Sequence, residues 1–272
     1  MRLFVLSLGA VKLLVLGLFL AKFWGKSQTY ARFDHPFFSR HQHHDALVLT
    51  DLPQDTSSVV HQPELIFYLD LRQTQDGHFI VLPPEREGGL LNSQSLGPGF
   101  RGPKLHLYDL NTLRKFYPKA PSLEQLMKTL KQRFILNVVD NAADIHTRLV
   151  EKIKELGAED RVLVVSEAEV VLSAIKKVAP LWLFGSSRSE IMRLLSFDSI
   201  GIIEASPWKS DVLIVPVKIM GRPAAQPSLI QEARRRKKYV LLGPAKNPEE
   251  VAALRGMQPD GIIFSDSSLL RP

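Results

Sequence analysis

The residues of this chain that could do chemistry are concentrated in one stretch, YLDLRQTQDGHFIVLPP, which covers residues 68–84. An apolar strand pattern there carries Tyr68 and Asp70, and an Asp-Gly turn leads into a second apolar pattern. A carboxylate at the end of a strand is typical of an active-site rim, where it can move protons or hold a metal ion. The stretch ends on Pro83 and Pro84, which carry no titratable group. It is therefore either a site with unusual residues or a scaffold that has lost its chemistry.

Three histidines lie close enough in sequence to supply a missing imidazole. We expect His78, after the turn, to point outward from a hairpin strand, and His61 to lie before the strand, on the face away from catalysis. His106 belongs to a long loop over the expected active face and could reach it. Asp140, after another apolar run, is a second candidate carboxylate.

Polar side chains also follow other apolar runs, where the mouth of an α/β barrel would lie. Arg72, Lys218 and Arg222 could bind a phosphate or an anionic headgroup, because cationic side chains recognise phosphate oxygens. The alternative is that they are solvated loop charges. The remaining candidates at this mouth are Ser166, Glu167 and Asp266.

The elements that must position these residues follow a regular alternation. Most of the apolar runs are continuous, as in strands buried on both faces of a parallel sheet. Amphipathic segments lie between the runs, with Ser187 and Asn247 as N-caps and Gly157 as a C-terminal stop. This pattern predicts an α/β fold, a closed (β/α)8 TIM-type barrel, with an open doubly wound sheet as the alternative. The predicted strands are 46–50, 65–71, 134–139, 161–166, 181–185, 212–217, 239–243 and 261–265.

The N-terminal segment, residues 1–24, is apolar from Leu3 onward apart from Ser7, Lys12 and Lys22. The uninterrupted run of nine residues between the two lysines fits a signal-peptide core, but no small-residue cleavage site follows it. We therefore predict an uncleaved membrane anchor. A cleaved signal peptide and an ordinary buried helix are the alternatives.

Residues 25–45 are polar with scattered aromatic residues and no sustained period, which predicts a linker before a barrel at residues 46–272. A metal site needs ligands that a fold holds in place, so we interpret the histidines of this segment as solvated. They are His35, His41, His43 and His44.

The charge of the chain is unevenly distributed. The formal net charge is +7, and the first 45 residues alone contain six basic and two acidic residues. The remainder is nearly balanced, so the excess favours membrane-flanking charge over a nucleic-acid groove. The chain has no cysteine, which excludes disulfides, thiol nucleophiles and thiolate-bound zinc.

The order of the motifs resembles that of the glycerophosphodiester phosphodiesterases. The segments YLDLRQTQDGHFIVL, SLEQLM, ILNVVDN, RVLVVS and PDGIIFSD follow one another as the family's motifs do, over residues 46–268. The resemblance implies a (β/α) barrel. It also implies metal-assisted cleavage of a glycerophosphodiester, with two histidines as general acid and base and carboxylates that hold a divalent cation.

Few of the residues that this resemblance implies are present. The family's Glu-x-Asp motif falls on residues 68–70, so Tyr68 replaces the glutamate and Asp70 remains. The Thr-x-Asp-Gly turn is intact at residues 74–77, but the His-Asp pair falls on Pro83 and Pro84.

Two further motifs are also changed. The family's His-Arg-Gly falls near residues 50–52, where no histidine or arginine occurs. Its iEiK strand falls on residues 138–141, so Val139 and Asn141 replace the glutamate and the lysine. A one-residue shift would bring Asp140 to the metal position, but out of the alternation of the strand.

These losses predict a catalytically inactive pseudoenzyme, without metal or cofactor, that acts as a binding or interaction module. The alternative is an active phosphoric diester hydrolase with a site rebuilt from Asp70, Asp140 and His106, which would use Ca²⁺ or Mg²⁺. A sugar-phosphate enzyme on a similar barrel is a third hypothesis. The expected partners are a membrane, through residues 3–24, and either an anionic phospho-headgroup or a protein, but no nucleic acid. We expect a membrane-anchored, extracytoplasmic barrel, or a secreted or periplasmic one after cleavage.

Overall fold

A computed structural model describes residues 2–39, 46–49, 64–81, 108–118, 120–219 and 221–270. The predicted strands are all found, with ends that differ by a few residues, because continuous apolar runs leave the strand limits to the turns. The strands are β1 (Ala46–Leu49), β2 (Ile66–Gln73), β3 (Phe79–Val81), β4 (Arg133–Val138), β5 (Val162–Val165), β6 (Leu183–Phe184), β7 (Val212–Val215), β8 (Lys218–Ile219), β9 (Arg222–Pro223), β10 (Tyr239–Ala245) and β11 (Gly261–Phe264).

The helices follow the predicted amphipathic segments. Ser187 and Asn247 are N-caps whose side chains accept from the backbone three residues on, and Gly157 has the positive φ of a C-terminal stop. The helices are α1 (Arg2–Ser27), α2 (Pro36–Ser39), α3 (Leu110–Phe116), α4 (Leu123–Thr129), α5 (Ile145–Glu155), α6 (Glu169–Val178), α7 (Arg188–Ser199), α8 (Pro227–Arg235) and α9 (Pro248–Gly256). Short 3₁₀ turns lie at Glu159–Arg161, Ile203–Ala205 and Ser267–Leu270.

The strands form the predicted (β/α)8 barrel. Their order is β6-β5-β4-β2-β1-β11-β10-β7, and every neighbouring pair in this path is parallel. The two ends of the sheet meet at a parallel bridge between Gly185 and Val212, next to a hydrogen bond from the Asp211 N–H to the Phe184 carbonyl at 2.8 Å. This contact rules out the open doubly wound sheet.

Both faces of the barrel strands are buried, which explains their continuous apolar runs. Alternate residues such as Ile66 and Ile135 fill the interior, while Phe67 and Phe134 pack outward under the helices. Strand alternation places Tyr68 and Asp70 on the same face of β2 as Ile66. The candidate residues of β2 therefore lie on the inner wall of the barrel.

The end of the barrel at which the strands begin is filled by α2. Phe37 and Phe38 are buried, at 0% and 4% exposure, and pack in the same cluster as the interior side chains. Arg133, the first residue of β4, donates to the Phe37 carbonyl at 2.7 Å and to the Glu64 carbonyl at 2.9 Å. This part of the segment predicted as a linker is thus part of the core, which aromatic residues without a period did not reveal.

His35, which the sequence analysis interpreted as solvated, is buried at 6% exposure. Its Nδ1 accepts a hydrogen bond from the Phe37 N–H at 3.2 Å, so it caps the N-terminus of α2. Burial lowers the pKa of this imidazole. His41, His43 and His44 lie outside the described residues.

The predicted anchor segment forms the long helix α1. Many of its apolar side chains are exposed, among them Leu13, Phe19 and Trp24 at 72%, 65% and 72%. No helix in the described part of the chain is long and apolar enough to cross a membrane.

Candidate functional site at the mouth of the barrel

The Thr-Gln-Asp-Gly turn between β2 and β3 is structural, as the sequence indicates. The Thr74 hydroxyl donates to Asp76 Oδ1 at 2.6 Å and accepts from the His78 N–H at 2.9 Å. Asp76 also accepts from the Leu110 N–H at 3.1 Å, which fixes the start of α3. The side chain of His78 is more than half exposed, on the outside of the hairpin as predicted.

A cavity of about 570 Å³ opens at the C-terminal ends of the strands, where barrel enzymes have their active sites. Tyr68, Asp70 and Asn137 contribute to its wall from β2 and β4, and the polar residues at its rim follow several other strands. These rim residues are Ser166, Glu167, Ser186, Ser187, Arg188, Lys218, Lys246 and Ser265.

Asp70 is engaged by an amide. The Nδ2 group of Asn137 donates to Asp70 Oδ1 at 2.7 Å, and the two residues are register partners on neighbouring strands. The motif comparison placed the family's glutamate at Val139, two residues further along, and so missed Asn137. The alternation of β4 could have found it, since Asn137 is a polar residue on the inner face of the strand, after the apolar run 134–136.

Tyr68 is neutral in this site. Burial, reinforced by the negative charges of Asp70 and Glu167, raises the pKa of its phenol well above the usual value. A phenol in this state can donate a hydrogen bond, but it does not act as a base near neutral pH.

Two predicted residues lie away from the described lining of the cavity. Asp140 is 8% exposed and accepts from the Gln73 N–H at 2.8 Å. Its other oxygen lies 3.7 Å from Arg72 Nη1, so the two candidates pair with each other. Neither lines the cavity. The assignments of Asp140 as a catalytic residue and of Arg72 as a ligand-binding residue are therefore not supported by this geometry, because each side chain is committed to the other.

The predicted cations Lys218 and Arg222 are separated. Lys218, on β8, lines the cavity, whereas Arg222, on β9, is exposed in the same two-stranded ribbon and does not. Arg188 and Lys246, at the rim, were missed, since an exposed cation near a helix start gives no distinctive signal. His106, His61 and the two prolines lie outside the described residues.

The remaining candidates at the mouth differ in whether they line the cavity and in whether they form local hydrogen bonds. Ser166 lines the cavity while its hydroxyl donates to the Val138 carbonyl at 2.7 Å. Glu167 is exposed at the rim. Asp266 does not line the cavity; it accepts from the Ser268 N–H, a bond that lowers the pKa of its carboxyl.

The described residues at the mouth do not form a ligand set that fits a divalent cation. Among the described residues no group of three or more His, Asp or Glu side chains could hold a metal ion. One oxygen of Asp70 already accepts from an amide, and the lining includes the cations Arg188, Lys218 and Lys246. Hard cations prefer several oxygen ligands, and Asp70 and Glu167 are the two carboxylates among the described lining residues.

No protein-family model and no curated protein matches this sequence. Solved structures do match its fold. A glycerophosphodiester phosphodiesterase from Parabacteroides distasonis has a TM-score of 0.61 at 11% identity, over 82% of this chain and 94% of that one. A glycerophosphoryl diester phosphodiesterase domain from Mycobacterium tuberculosis has a TM-score of 0.61 at 12% identity, over 84% and 97%.

A third structure extends the same pattern. The glycerophosphodiester phosphodiesterase from Thermotoga maritima has a TM-score of 0.57 at 14% identity, over 85% of this chain and 98% of that one. Identities this low establish the fold and leave the activity to the site. The barrel of this chain therefore has the fold of the glycerophosphodiester phosphodiesterases, which confirms the resemblance that the order of its motifs indicated.

Proposed function

We propose that this chain is a membrane-attached barrel that binds an anionic, phosphate-bearing ligand at its mouth and does not hydrolyse it. The observation that carries the proposal is the hydrogen bond from Asn137 to Asp70 at 2.7 Å. It gives the one family carboxylate retained on β2 a neutral partner, in the place where a metal site would need a second negative charge.

The rim favours an anion. Arg188, Lys218 and Lys246 are exposed at the cavity and lie after three different strands, so they approach a ligand from separate sides. A phosphate can accept two parallel hydrogen bonds from an arginine and point-charge contacts from lysines. The neutral phenol of Tyr68 is suited to donate to an uncharged part of the same ligand.

The same residues argue against a hydrolase. Phosphodiester cleavage of the family type needs a general acid, a general base and a cation on the phosphoryl oxygens. Asp70 is hydrogen bonded, Tyr68 is held neutral, and Asp140 is paired with Arg72 away from the cavity. A hydrolase rebuilt from Asp70, Asp140 and His106 is the competing function that the experiment below must distinguish.

The membrane attachment rests on α1. Its exposed apolar side chains would be costly in water, and insertion into a lipid surface would remove that cost. Lys12, which is exposed on α1, can extend to the polar interface. With the signal-like segment, this favours an extracytoplasmic barrel, or a secreted or periplasmic one if the segment is cleaved.

The test uses the full-length chain in detergent. Titration calorimetry with glycerol phosphate and with a glycerophosphodiester should detect binding that weakens about 10- to 150-fold in Lys218→Ala and in Arg188→Ala, since a lost charged hydrogen bond costs about 1.5–3 kcal/mol. Arg222→Ala, an exposed cation outside the cavity, is the matched control and should bind normally.

A hydrolysis assay on the same preparation separates the two functions. We expect no turnover of glycerophosphodiesters with Ca²⁺ or Mg²⁺. Metal-dependent turnover that is lost in Asp70→Ala would establish the hydrolase and overturn the proposal. The absence of binding to either ligand would overturn it as well.

A further inference from the structure

The C-terminal end of helix α1 is held against the barrel by a set of hydrogen bonds and ion pairs, which we call the joint. Arg235 donates to the carbonyls of Gly25 at 3.0 Å and Gln28 at 3.1 Å, where α1 ends. The same guanidinium is held by Glu232 at 2.6 Å. Terminal carbonyls of a helix have no partners within the helix, so this arginine both satisfies them and joins two elements.

A second set of contacts in the joint connects lysines of α1 to the segment 201–204. Lys22 Nζ donates to the Gly201 carbonyl at 2.9 Å, and Lys26 lies 3.7 Å from Glu204. Gly25 is packed so closely that a Cβ atom there would lie 2.2 Å from the Glu204 carbonyl oxygen. The direction of α1 is therefore fixed relative to the barrel at this point.

The joint lies at the end of the barrel opposite the mouth. The 3₁₀ turn Ile203–Ala205 precedes β7, and Arg235 ends α8, which precedes β10. In a parallel barrel such positions lie at the N-terminal ends of the strands. We call this end the lower face.

Both apolar and basic side chains are exposed on the lower face. Val178, Leu181 and Ile200, at the ends of α6 and α7, are exposed by 44%, 77% and 58%. Exposed basic residues occupy the same level, at helix ends or just before strands. The acidic residues at this level offset them only in part; they are Glu155, Glu159, Asp160, Asp198 and Asp260. These basic residues are Lys131, Lys154, Lys177, Arg234, Lys237 and Arg255.

We infer that the lower face docks on an anionic lipid bilayer into which α1 inserts. The inference rests on the membrane attachment proposed above and adds the orientation of the barrel. A bilayer offers an apolar layer to Leu181 and Ile200 and negative headgroups to the exposed cations. The mouth then opens away from the membrane, and its phosphate-bearing ligand is a water-soluble molecule rather than a lipid of that bilayer.

The orientation can be measured on the full-length chain because it contains no cysteine. Asp160→Cys on the lower face and Glu249→Cys at the mouth end each remove one acid and give a single labelling site. Energy transfer from the label to an acceptor on the headgroups of phosphatidylserine-containing vesicles should be several-fold stronger from residue 160. The double substitution Leu181→Glu/Ile200→Glu should bring the two signals close to equal.

Val170→Glu, at an exposed apolar residue near the mouth end of α6, is the matched control and should preserve the difference. Equal transfer from the two labels on the vesicle-bound protein, without the glutamate substitutions, overturns this inference alone. A chain that does not bind vesicles overturns the membrane attachment with it. A stable dimer in lipid-free solution that buries Leu181 would also overturn it, because a second copy would then cover the face.

Discussion

The side-chain amide of Asn137 donates a hydrogen bond to the carboxylate of Asp70 across 2.7 Å, and the two residues are partners in the β2–β4 register. Register partners in a parallel sheet lie side by side, so this contact is set by the backbone rather than by flexible loops. It commits one carboxylate oxygen to a neutral donor. At this position the wall of the cavity therefore carries an amide beside the carboxylate.

The substitution Asn137→Asp tests this interpretation. Two adjacent carboxylates repel, so we expect a loss of about 1–3 kcal/mol in the free energy of unfolding in EDTA, partly restored by millimolar Ca²⁺. Thermal melting with and without Ca²⁺ measures both effects. Asn141→Asp, at an exposed position after β4, is the control. Its free energy of unfolding should stay close to the wild-type value and should not change with Ca²⁺. If the wild-type protein itself is stabilised by Ca²⁺, the interpretation that Asn137 takes the place of a metal ligand beside Asp70 is wrong.

A second prediction concerns Asp140, which the sequence made a catalytic candidate. Asp140→Ala removes the acceptor of the Gln73 N–H and the partner of Arg72, so we expect a loss of about 1–3 kcal/mol in the free energy of unfolding. Urea unfolding measures it. Ligand binding at the mouth should not change, because Asp140 does not line the cavity.

Asp144→Ala provides the comparison for this prediction. Asp144 pairs with Arg148 on the exposed surface of α5, where an ion pair contributes at most about 1 kcal/mol. An Asp140 variant that unfolds normally but no longer binds ligand would return Asp140 to the site.

The fold was predictable because burial on both faces makes a barrel strand continuously apolar. In β2, for example, the neighbouring residues Ile66 and Phe67 point to opposite faces and both are buried. The residues that line the cavity were predictable where they lie near the C-terminal end of a strand, as Asp70 does in β2 and Ser166 does after β5. The pairing of Asp140 with Arg72 joins residues far apart in the chain, and no local pattern encodes it. Phe37 was missed for a related reason, since α2 is a single turn, too short to show a helical period.

The aromatic filling of the lower end of the barrel should be a large source of stability. Phe37→Ala leaves a cavity beneath the interior side chains and should cost about 3–5 kcal/mol. Denaturant unfolding measures the loss. Phe23→Ala, at a residue of α1 that is 69% exposed, should change the value by about 0.5 kcal/mol or less. Similar costs for the two substitutions would contradict the packing of α2 in the core.

The buried cap His35 should make the stability of the chain depend on pH. Its pKa is lowered by burial, and its Nδ1 accepts from the Phe37 N–H, so the folded state requires the neutral ring. Below the ordinary pKa of about 6.5 the unfolded chain binds the proton more readily. The contribution of His35 is thus complete above that pH and is lost as the pH falls towards the lowered folded value.

The variant His35→Asn isolates this effect, because asparagine retains an oxygen that can accept from the Phe37 N–H but does not titrate. We expect melting temperature to fall less in the variant than in the wild-type protein between pH 7.5 and pH 5. His78→Asn, at the exposed turn after β2, is the matched control and should retain the wild-type pH dependence. Equal pH dependence in the wild-type protein and His35→Asn would show that another group titrates on unfolding and that the His35 cap does not govern the response.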